Sequence, residues 1–390
     1  DVFQNGKESQ QDLITQEINY QSSRGDKIDW TVGTFGFYKD LTNDYLATFG
    51  TERHLLLPLD LDQALYYNNT STWGIAGYGQ ITVKNLLPGM FVTAGIRYDY
   101  EKASLSYRDS LLFHDADRFT GYHDWDEKHS YAAWLPKFSV LQKWNEQLST
   151  YLNISKGYKA GGYNIISNEM TTQVVELEYD KESLWNYELG AKYFSVNGRF
   201  NVNGALFYID WKDQQIFVME MMGPIIKNAG DARSIGAEID LSWECLPRLV
   251  YFLSSGYSDS EYYHHLTKEY EGNKIVMAPE FTMNTGISYT QAIKSSLFKS
   301  FTATPSVTGF GTQYFDEANT MKQDPYFLWN MDLGISGKHI DFHVWGKNIL
   351  DKNFFCYMFN SPVGNNLPEY MKSGQSGAPS RFGASITIKL

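Results

Sequence analysis

The residues best suited to metal chemistry are His339, Asp341 and His343, which alternate along one short segment. If that segment is a strand, all three side chains point to one side, because side chains in a strand alternate between faces. Neighbouring members then stand about 7 Å apart, which is too far for one tetrahedral ion without ligands from elsewhere. We therefore expect a hydrated polar lining at this segment and assign no metal site.

A second polar tract runs from Tyr122 to Glu127 and includes His123, Asp124 and Trp125. It could contact a ligand or a divalent ion, or it could form a solvated loop. The chain contains no nucleophile elbow, no phosphate loop and no cysteine–histidine zinc pattern. We therefore predict no catalytic residue, no bound metal, no cofactor and no enzymatic activity.

Aromatic side chains offer a different chemistry, which is contact with a bulky ligand. Tyr158 and Tyr163 flank Gly161 and Gly162, where the missing side chains would let the chain turn sharply. This arrangement would serve either as an aromatic shelf for a flat ligand or as a structural corner.

The stretch 216–226 is unusually apolar for a connection and contains Met219 and Met222. Because methionine-rich surfaces adapt to irregular partners, this stretch would either contact a ligand or form a hairpin that extends a wall. The candidate ligand contacts are outer-loop residues with large side chains: Tyr158, Tyr163, Trp125, Met219, Met222 and Tyr314.

Composition narrows the class of protein that could carry these residues. The 390-residue chain is 16% aromatic, and its mean hydropathy is −0.39. No stretch reaches the roughly 18 apolar residues of a membrane helix, but strands of a membrane barrel need apolar residues only at alternate positions. The formal charge of −12 argues against nucleic acid as a partner, since nucleic acid selects basic faces.

The elements that position the candidate ligand contacts are predicted to be β-strands, because apolar residues recur at every second position along the chain. The C-terminal segment shows this most clearly, with Phe382, Ala384, Ile386, Ile388 and Leu390 alternating with Arg381, Gly383, Ser385, Thr387 and Lys389. Such a strand has one apolar face and one hydrated face.

About fifteen segments have the character of strands: 11–22, 28–40, 72–84, 90–107, 129–143, 147–158, 183–196, 198–212, 230–244, 248–262, 280–292, 298–313, 326–337, 339–350 and 380–390. Many exceed the roughly 9–11 tilted residues that cross a membrane. The register of 72–84 is not evident from its pattern, and 198–212 is apolar on both faces.

The connections between these segments alternate in length. Short ones fall at 23–27, 85–89, 144–146, 197–198, 245–247, 293–297 and 337–338, and long ones at 41–71, 108–128, 159–182, 213–229, 263–279, 314–325 and 351–379. Short turns on one side and long loops on the other are typical of bacterial outer-membrane barrels, whose long loops lie outside. We therefore predict an all-β, transmembrane antiparallel β-barrel.

The strand count predicts that this barrel is incomplete. With the C-terminus in the periplasm, an odd count makes the first strand run inward, whereas a bacterial single-chain barrel starts in the periplasm with an even number of strands. We expect residues 1–390 to be the C-terminal portion of a barrel with further chain upstream.

Six segments in order resemble the TonB-dependent outer-membrane receptors. They are Ser155–Asn164, Glu182–Gly190, Asn228–Glu238, Ala278–Thr282, Asn348–Phe354 and Gly377–Gly383. The last two are similar to the family's Asn-Leu-Phe-Asp-Lys-x-Tyr segment and to its Gly-x-Pro-Arg-x-Phe/Tyr-Gly segment, here with Ser380 inserted before the arginine. Leu390 stands where the family usually has an aromatic residue.

The resemblance implies a barrel of about 22 strands, with an N-terminal plug and a TonB box that are absent from this chain. It also implies integral, multi-pass placement among the lipids of the outer membrane and energised import through the TonB–ExbB–ExbD complex. The Gly-Tyr-Lys-Ala-Gly-Gly-Tyr-Asn segment at 157–164 favours a ferric siderophore as the ligand. Cobalamin, haem or glycan uptake, a passive porin and an assembly or secretion barrel stay open as alternatives.

Overall fold

The computed structural model describes residues 3–22, 25, 27–52, 61–114, 118–164, 178–220, 223–362 and 370–389. In chain order the strands are β1 Phe3–Gln21, β2 Ile28–Phe49, β3 Leu61–Lys84, β4 Met90–Phe113, β5 Thr120–Lys143, β6 Leu148–Lys159, β7 Gly162–Tyr163, β8 Glu178–Tyr179, β9 Glu182–Phe194, β10 Phe200–Lys212, β11 Gln215–Glu220, β12 Gly223–Asn228, β13 Gly230–Leu246, β14 Leu249–His265, β15 Phe281–Ala292, β16 Phe298–Phe310, β17 Gln313–Tyr314, β18 Lys322–Gln323, β19 Tyr326–Gly337, β20 Ile340–Lys347, β21 Phe355–Pro362, β22 Tyr370–Ser376 and β23 Arg381–Ile388. A short 3-10 helix spans Lys268–Tyr270. No helix in the described ranges is long and apolar enough to span a membrane.

Fifteen of these strands form one antiparallel sheet in the order β1-β2-β3-β4-β5-β6-β9-β10-β13-β14-β15-β16-β19-β20-β23. The predicted all-β architecture and the count of fifteen are confirmed. Every neighbour in the sheet is also the next long strand in sequence. The remaining eight strands form two-stranded pieces inside the long connections. All long connections therefore leave from one edge of the sheet, which we call the long-connection rim, and all short ones from the short-turn rim.

The sheet has an apolar outer face and a polar inner face. On β3 the exposed odd-numbered side chains Trp73, Ile75 and Ile81 lie on the outer face, which also resolves the register that the sequence left open. On the inner face, the Tyr78 hydroxyl donates to Glu17 at 2.6 Å, and Arg97 donates to both carboxylate oxygens of Asp99 at 2.6 and 2.7 Å. This is the alternation that a strand needs when lipid lies on one side and water or protein on the other.

Five strands, β1 to β5, continue well past their predicted ends at the long-connection rim and contain 19, 22, 24, 24 and 24 residues. A row of polar side chains explains why the sequence predicts loops in these segments. The Ser9 hydroxyl donates to Asn43 at 2.7 Å, Asn43 donates to Asn68 at 2.9 Å, and Asn68 stands opposite Tyr107. Asparagine is poor in strands by propensity, but here its amide groups bond to one another between strands.

Glycines of the sheet commonly stand directly opposite an aromatic residue on the adjacent strand. The pairs are Gly33–Tyr78, Gly74–Phe37, Gly190–Tyr151, Gly236–Phe207, Gly286–Phe252, Gly309–Phe327 and Gly383–Trp345. In each pair the ring occupies the space that a Cβ atom on the glycine would need. The aromatic ring therefore covers the bare backbone of its neighbour.

Candidate ligand-binding vestibule

At the long-connection rim, the extended parts of β2 to β5 enclose a hydrophobic cluster. Its buried members are Ala47, Phe49, Leu61, Ala64, Tyr66, Ala103, Leu105, Tyr107, Leu111, Tyr131 and Tyr163. Tyr107 is fully buried and stacks on Trp125 with ring centroids 5.0 Å apart. Since the cluster lies on the inner face at the long-connection rim, we treat it as one wall of a candidate ligand-binding vestibule.

Two of the candidate ligand contacts belong to this wall. Tyr163 is 9% exposed, and Trp125 is partly buried against the same cluster. The two are 38 positions apart in sequence, yet β5 and the connection after β6 bring them to one cluster. Trp125 keeps a surface that a ligand could reach, whereas Tyr163 acts mainly as packing.

Tyr158 has a defined partner on the inner face. Its hydroxyl donates to Glu101 of β4 at 2.5 Å. The ladder between β5 and β6 ends at the pair Lys137–Ser155, so Tyr158 lies beyond that ladder. It therefore ties the end of β6 to β4 across the unpaired part of β5.

Gly161 and Gly162 are required because the backbone there passes close to Tyr131 and Tyr179, and not because the chain turns sharply. Neither Gly161 nor Gly162 has a positive φ, in contrast to the expectation from sequence. A Cβ atom on Gly161 would meet the carbonyl oxygen of Tyr179 and would stand 2.5 Å from the ring of Tyr131. A Cβ atom on Gly162 would stand 2.5 Å from the hydroxyl of Tyr179. The connection therefore lies flat against two tyrosines.

The phenol groups of this wall stay protonated. Burial, together with Glu178 and Glu127, raises the pKa of Tyr163 to about 12. Burial also raises the pKa of Tyr179 above its usual value. The two phenols can donate hydrogen bonds or present an aromatic face to a ligand, but they do not supply phenolate oxygens to a metal near neutral pH.

The apolar stretch at 216–226 forms a hairpin of β11 and β12, which is one of the two alternatives left open by the sequence. Buried amide side chains attach this hairpin to neighbouring connections. Asn164 accepts from the backbone N–H of Ile226 at 2.7 Å and donates to its carbonyl oxygen at 2.8 Å, as an adjacent strand would. Gln215 donates to the carbonyl oxygens of Ala160 and Asp180, both at 2.9 Å.

Two further contacts fix the base of the same hairpin. The carboxylate of Glu182 accepts from the backbone N–H of Gln215 at 2.6 Å. Asn228 donates to the carbonyl oxygens of Asp180 at 3.0 Å and Asp213 at 2.7 Å. The hairpin is therefore anchored by several buried polar side chains rather than by apolar packing alone.

Met219 lies in β11 near the tip of the hairpin, and nothing is described of its side chain. Met222 lies outside the described residues. Strand β11 approaches β21, which belongs to the hairpin in the connection between β20 and β23. Two hairpins from distant parts of the sheet thus come into contact, and Met219 lies in one of them.

Tyr314 lies in another part of the rim. It is half-buried in β17, and its carbonyl oxygen accepts from the backbone N–H of Met277 at 2.7 Å. It belongs to the connection between β16 and β19 and lies outside the hydrophobic cluster that holds Trp125 and Tyr163. The candidate contacts therefore fall into a wall group, a hairpin group and Tyr314.

Sequence reasoning missed the anchoring role of Asn164, Glu182 and Asn228. Each lies within one of the segments used for the family resemblance, so the signal was present, but the roles depend on contacts between separate connections. No signal in the sequence pointed to Asn43 and Asn68. In the described part of the chain, no group of three or more His, Cys, Asp or Glu residues is placed to hold a metal ion.

Comparison with known proteins gives a family and several relatives. Residues 2–349 match the family model described as "TonB dependent receptor-like, beta-barrel". The pesticin receptor of Yersinia pestis is 22% identical over 327 residues, which are 83% of this chain and 45% of that protein.

Solved structures show the same fold. The ferric yersiniabactin uptake receptor from Yersinia pestis superposes with a TM-score of 0.81 at 19% identity and covers 100% of this chain and 55% of its own. The ferric preacinetobactin receptor from Acinetobacter baumannii has a TM-score of 0.66 at 15% identity and covers 98% of this chain and 55% of its own. The chain therefore spans about half the length of the relatives that it matches.

Proposed function

Because the chain belongs to the TonB-dependent receptor-like β-barrel family, we propose that it is the C-terminal portion of an outer-membrane receptor that imports a ferric siderophore. The family consists of receptors of the bacterial outer membrane, so no catalytic role is assigned. We propose that the fifteen long strands cross the membrane as an integral, multi-pass wall.

One observation carries this proposal, namely the two-faced sheet. The outer face presents apolar and aromatic side chains such as Leu189, Ile239 and Trp329, which are 55%, 38% and 47% exposed. The inner face presents charged groups such as Arg97 and Asp99. A sheet of this kind is stable only with lipid against one face and with water or protein against the other.

The ligand class is proposed from the relatives and from the vestibule. The names of two structural relatives specify ferric yersiniabactin and ferric preacinetobactin as their ligands. The aromatic wall around Trp125 offers apolar surface with phenol hydroxyls nearby, which suits a bulky chelate with aromatic or heterocyclic groups. Cobalamin, haem and glycans are the alternatives within the same family.

We assign different roles to the candidate contacts. Trp125, Tyr314 and the hairpin residues Met219 and Met222 are proposed to contact the ligand. Tyr158 and Tyr163 are proposed to act indirectly, because their hydroxyl bond and their burial hold the wall in place. Energy for import would come from the TonB–ExbB–ExbD complex.

The test is uptake by a strain that lacks the gene, grown under iron limitation with defined iron-loaded siderophores. We expect a growth defect that the wild-type gene restores only in cells with a functional TonB. Uptake that continues without TonB would indicate a passive porin. Normal growth on all iron chelates, with a defect on cobalamin or glycans, would overturn the siderophore assignment.

A further inference from the structure

Among the residues that the structure describes, two lysines on the outer face of β4 and β5 have no counter-ion. Lys102 of β4 stands opposite Ser130 of β5, and Lys128 of β5 stands opposite Ser104 of β4. We call these four residues the lysine–serine notch. Diagonal neighbours on adjacent strands are about 7–8 Å apart, so the two ammonium groups can reach one common anion between them.

The notch lies on the face that meets lipid. Even-numbered residues of β4 and β5 form that face, where Tyr98 and Trp134 pack with ring centroids 4.6 Å apart. Trp73 stands opposite Lys102 and packs on Tyr100 at 5.6 Å. Aromatic residues of this kind mark the interface between hydrocarbon and headgroups.

The height of the notch agrees with the headgroup layer. Lys102 stands 12 residues beyond Met90, the short-turn end of β4 (102 − 90). At about 3.4 Å per residue and a tilt of about 40°, this corresponds to about 31 Å, close to the thickness of the hydrocarbon core. Lys128 stands opposite Ser104, which is 14 residues beyond Met90 (104 − 90); by the same conversion this is about 36 Å and lies within the headgroup layer.

The missing counter-ions set the two lysines of this notch apart from several other cations near the rim. Within the described residues, neither Lys102 nor Lys128 forms an ion pair or a hydrogen bond. Cations at similar positions on β10, on β13 and after β14 have carboxylate partners: Lys212 with Asp231, Arg233 with Glu261, and Lys274 with Asp259. The nearest acidic residue on the same face of β5, Asp126, lies further from the membrane than Lys128.

We propose that the lysine–serine notch binds a phosphate group of an anionic lipid in the outer leaflet. The two ammonium groups supply the charge, and the hydroxyls of Ser104 and Ser130 can donate to the remaining phosphate oxygens. The acyl chains would lie along Trp73 and Tyr100 below the notch. This site is separate from the vestibule, because it lies on the opposite face of the sheet.

The test measures lipid retained by the purified, full-length receptor in an uncharged detergent, using native mass spectrometry. The probes are bis-phosphorylated lipid A, dephosphorylated lipid A and inorganic phosphate. The test variant is K102Q/K128Q. The matched control is K39Q/K137Q, which removes two lysines from the inner faces of β2 and β5.

We expect the wild type and K39Q/K137Q to bind phosphorylated lipid A equally well. At about fivefold for each lysine, K102Q/K128Q should bind it roughly 30-fold more weakly. K102R/K128R keeps both charges and should bind like the wild type, which separates loss of charge from damage to the fold.

Three kinds of result, which concern the lysine charges, the lipid phosphates and the lipid itself, would overturn the proposal. The first is equal retention of phosphorylated lipid A by K102Q/K128Q and the wild type, or loss of binding in K102R/K128R. The second is equal binding of dephosphorylated lipid A. The third is displacement of lipid A by inorganic phosphate at matched concentration, which would indicate a site for a free anion rather than for a lipid.

Discussion

The anchor between Asn164 and the β11–β12 hairpin allows a quantitative test. Replacing Asn164 with alanine removes both of its hydrogen bonds to Ile226 and leaves a backbone N–H and a carbonyl without those partners. Asn164 is 5% exposed, so little water is available to replace them. At about 1 kcal/mol for each bond, the free energy of local opening should fall by about 2 kcal/mol, which is roughly a 30-fold change in the opening equilibrium.

Hydrogen–deuterium exchange of the full-length receptor measures this change directly. In Asn164→Ala, amides of residues 223–228 should exchange roughly 30-fold faster, while those of β9 and β10 stay as in the wild type. The control is Asn153→Ala in the preceding long strand, β6, because the Asn153 side chain makes no hydrogen bond among the described residues. If both variants exchange alike in the hairpin, or if all strands accelerate together, Asn164 is not a local anchor and the reasoning is wrong.

Three further predictions concern the wall of the vestibule. Gly161→Ala should lower the free energy of unfolding by about 1–3 kcal/mol, because the new Cβ would meet the backbone of Tyr179. Gly77→Ala is the control: a Cβ at Gly77 would meet no atom, so its effect on stability should be close to zero. Thermal unfolding compares the two variants. Tyr107→Ala should lower the free energy of unfolding by about 3–5 kcal/mol, because it leaves a cavity at a fully buried site. Denaturant titration measures this loss, and a loss no greater than that for substitution of an exposed tyrosine would contradict the prediction. Tyr163, with its pKa raised to about 12, loses its proton later than an unfolded tyrosine, so stability should decline as pH rises above about 10. Tyr163→Phe should flatten that decline, and an unchanged alkaline profile would count against the burial of this phenol.

The sheet could be predicted from the sequence because lipid and water impose a period of two on each strand. Trp329, Leu333 and Phe382 all follow that rule and all lie on the outer face. The strand ends at the long-connection rim could not be predicted in the same way. Asn43 and Asn68 lie in these extended parts, where their low strand propensity predicts a loop, and their pairing depends on the register of separate strands.

The candidate site was predictable in its residue types but not in its arrangement. Tyr158 and Tyr163 are close in sequence, yet one is tied to β4 and the other is packed in the wall cluster. The distinction depends on Glu101 and Tyr131, which belong to other strands and carry no local signal. Asn164 was part of a recognised segment, but its role appears only when the hairpin is folded against it.

The glycine–aromatic pairs also bear on how the chain reaches its correct pairing. A strand that slipped by two residues would keep each face on its proper side, so hydrophobic patterning alone would not reject the error. Such a slip would move Tyr78 from Gly33 onto Thr31 or Phe35, and Tyr151 from Gly190 onto Glu188 or Lys192. The ring would then collide with a side chain instead of covering bare backbone. Each glycine–aromatic pair therefore favours the native register over a slipped one as each new strand joins the growing sheet.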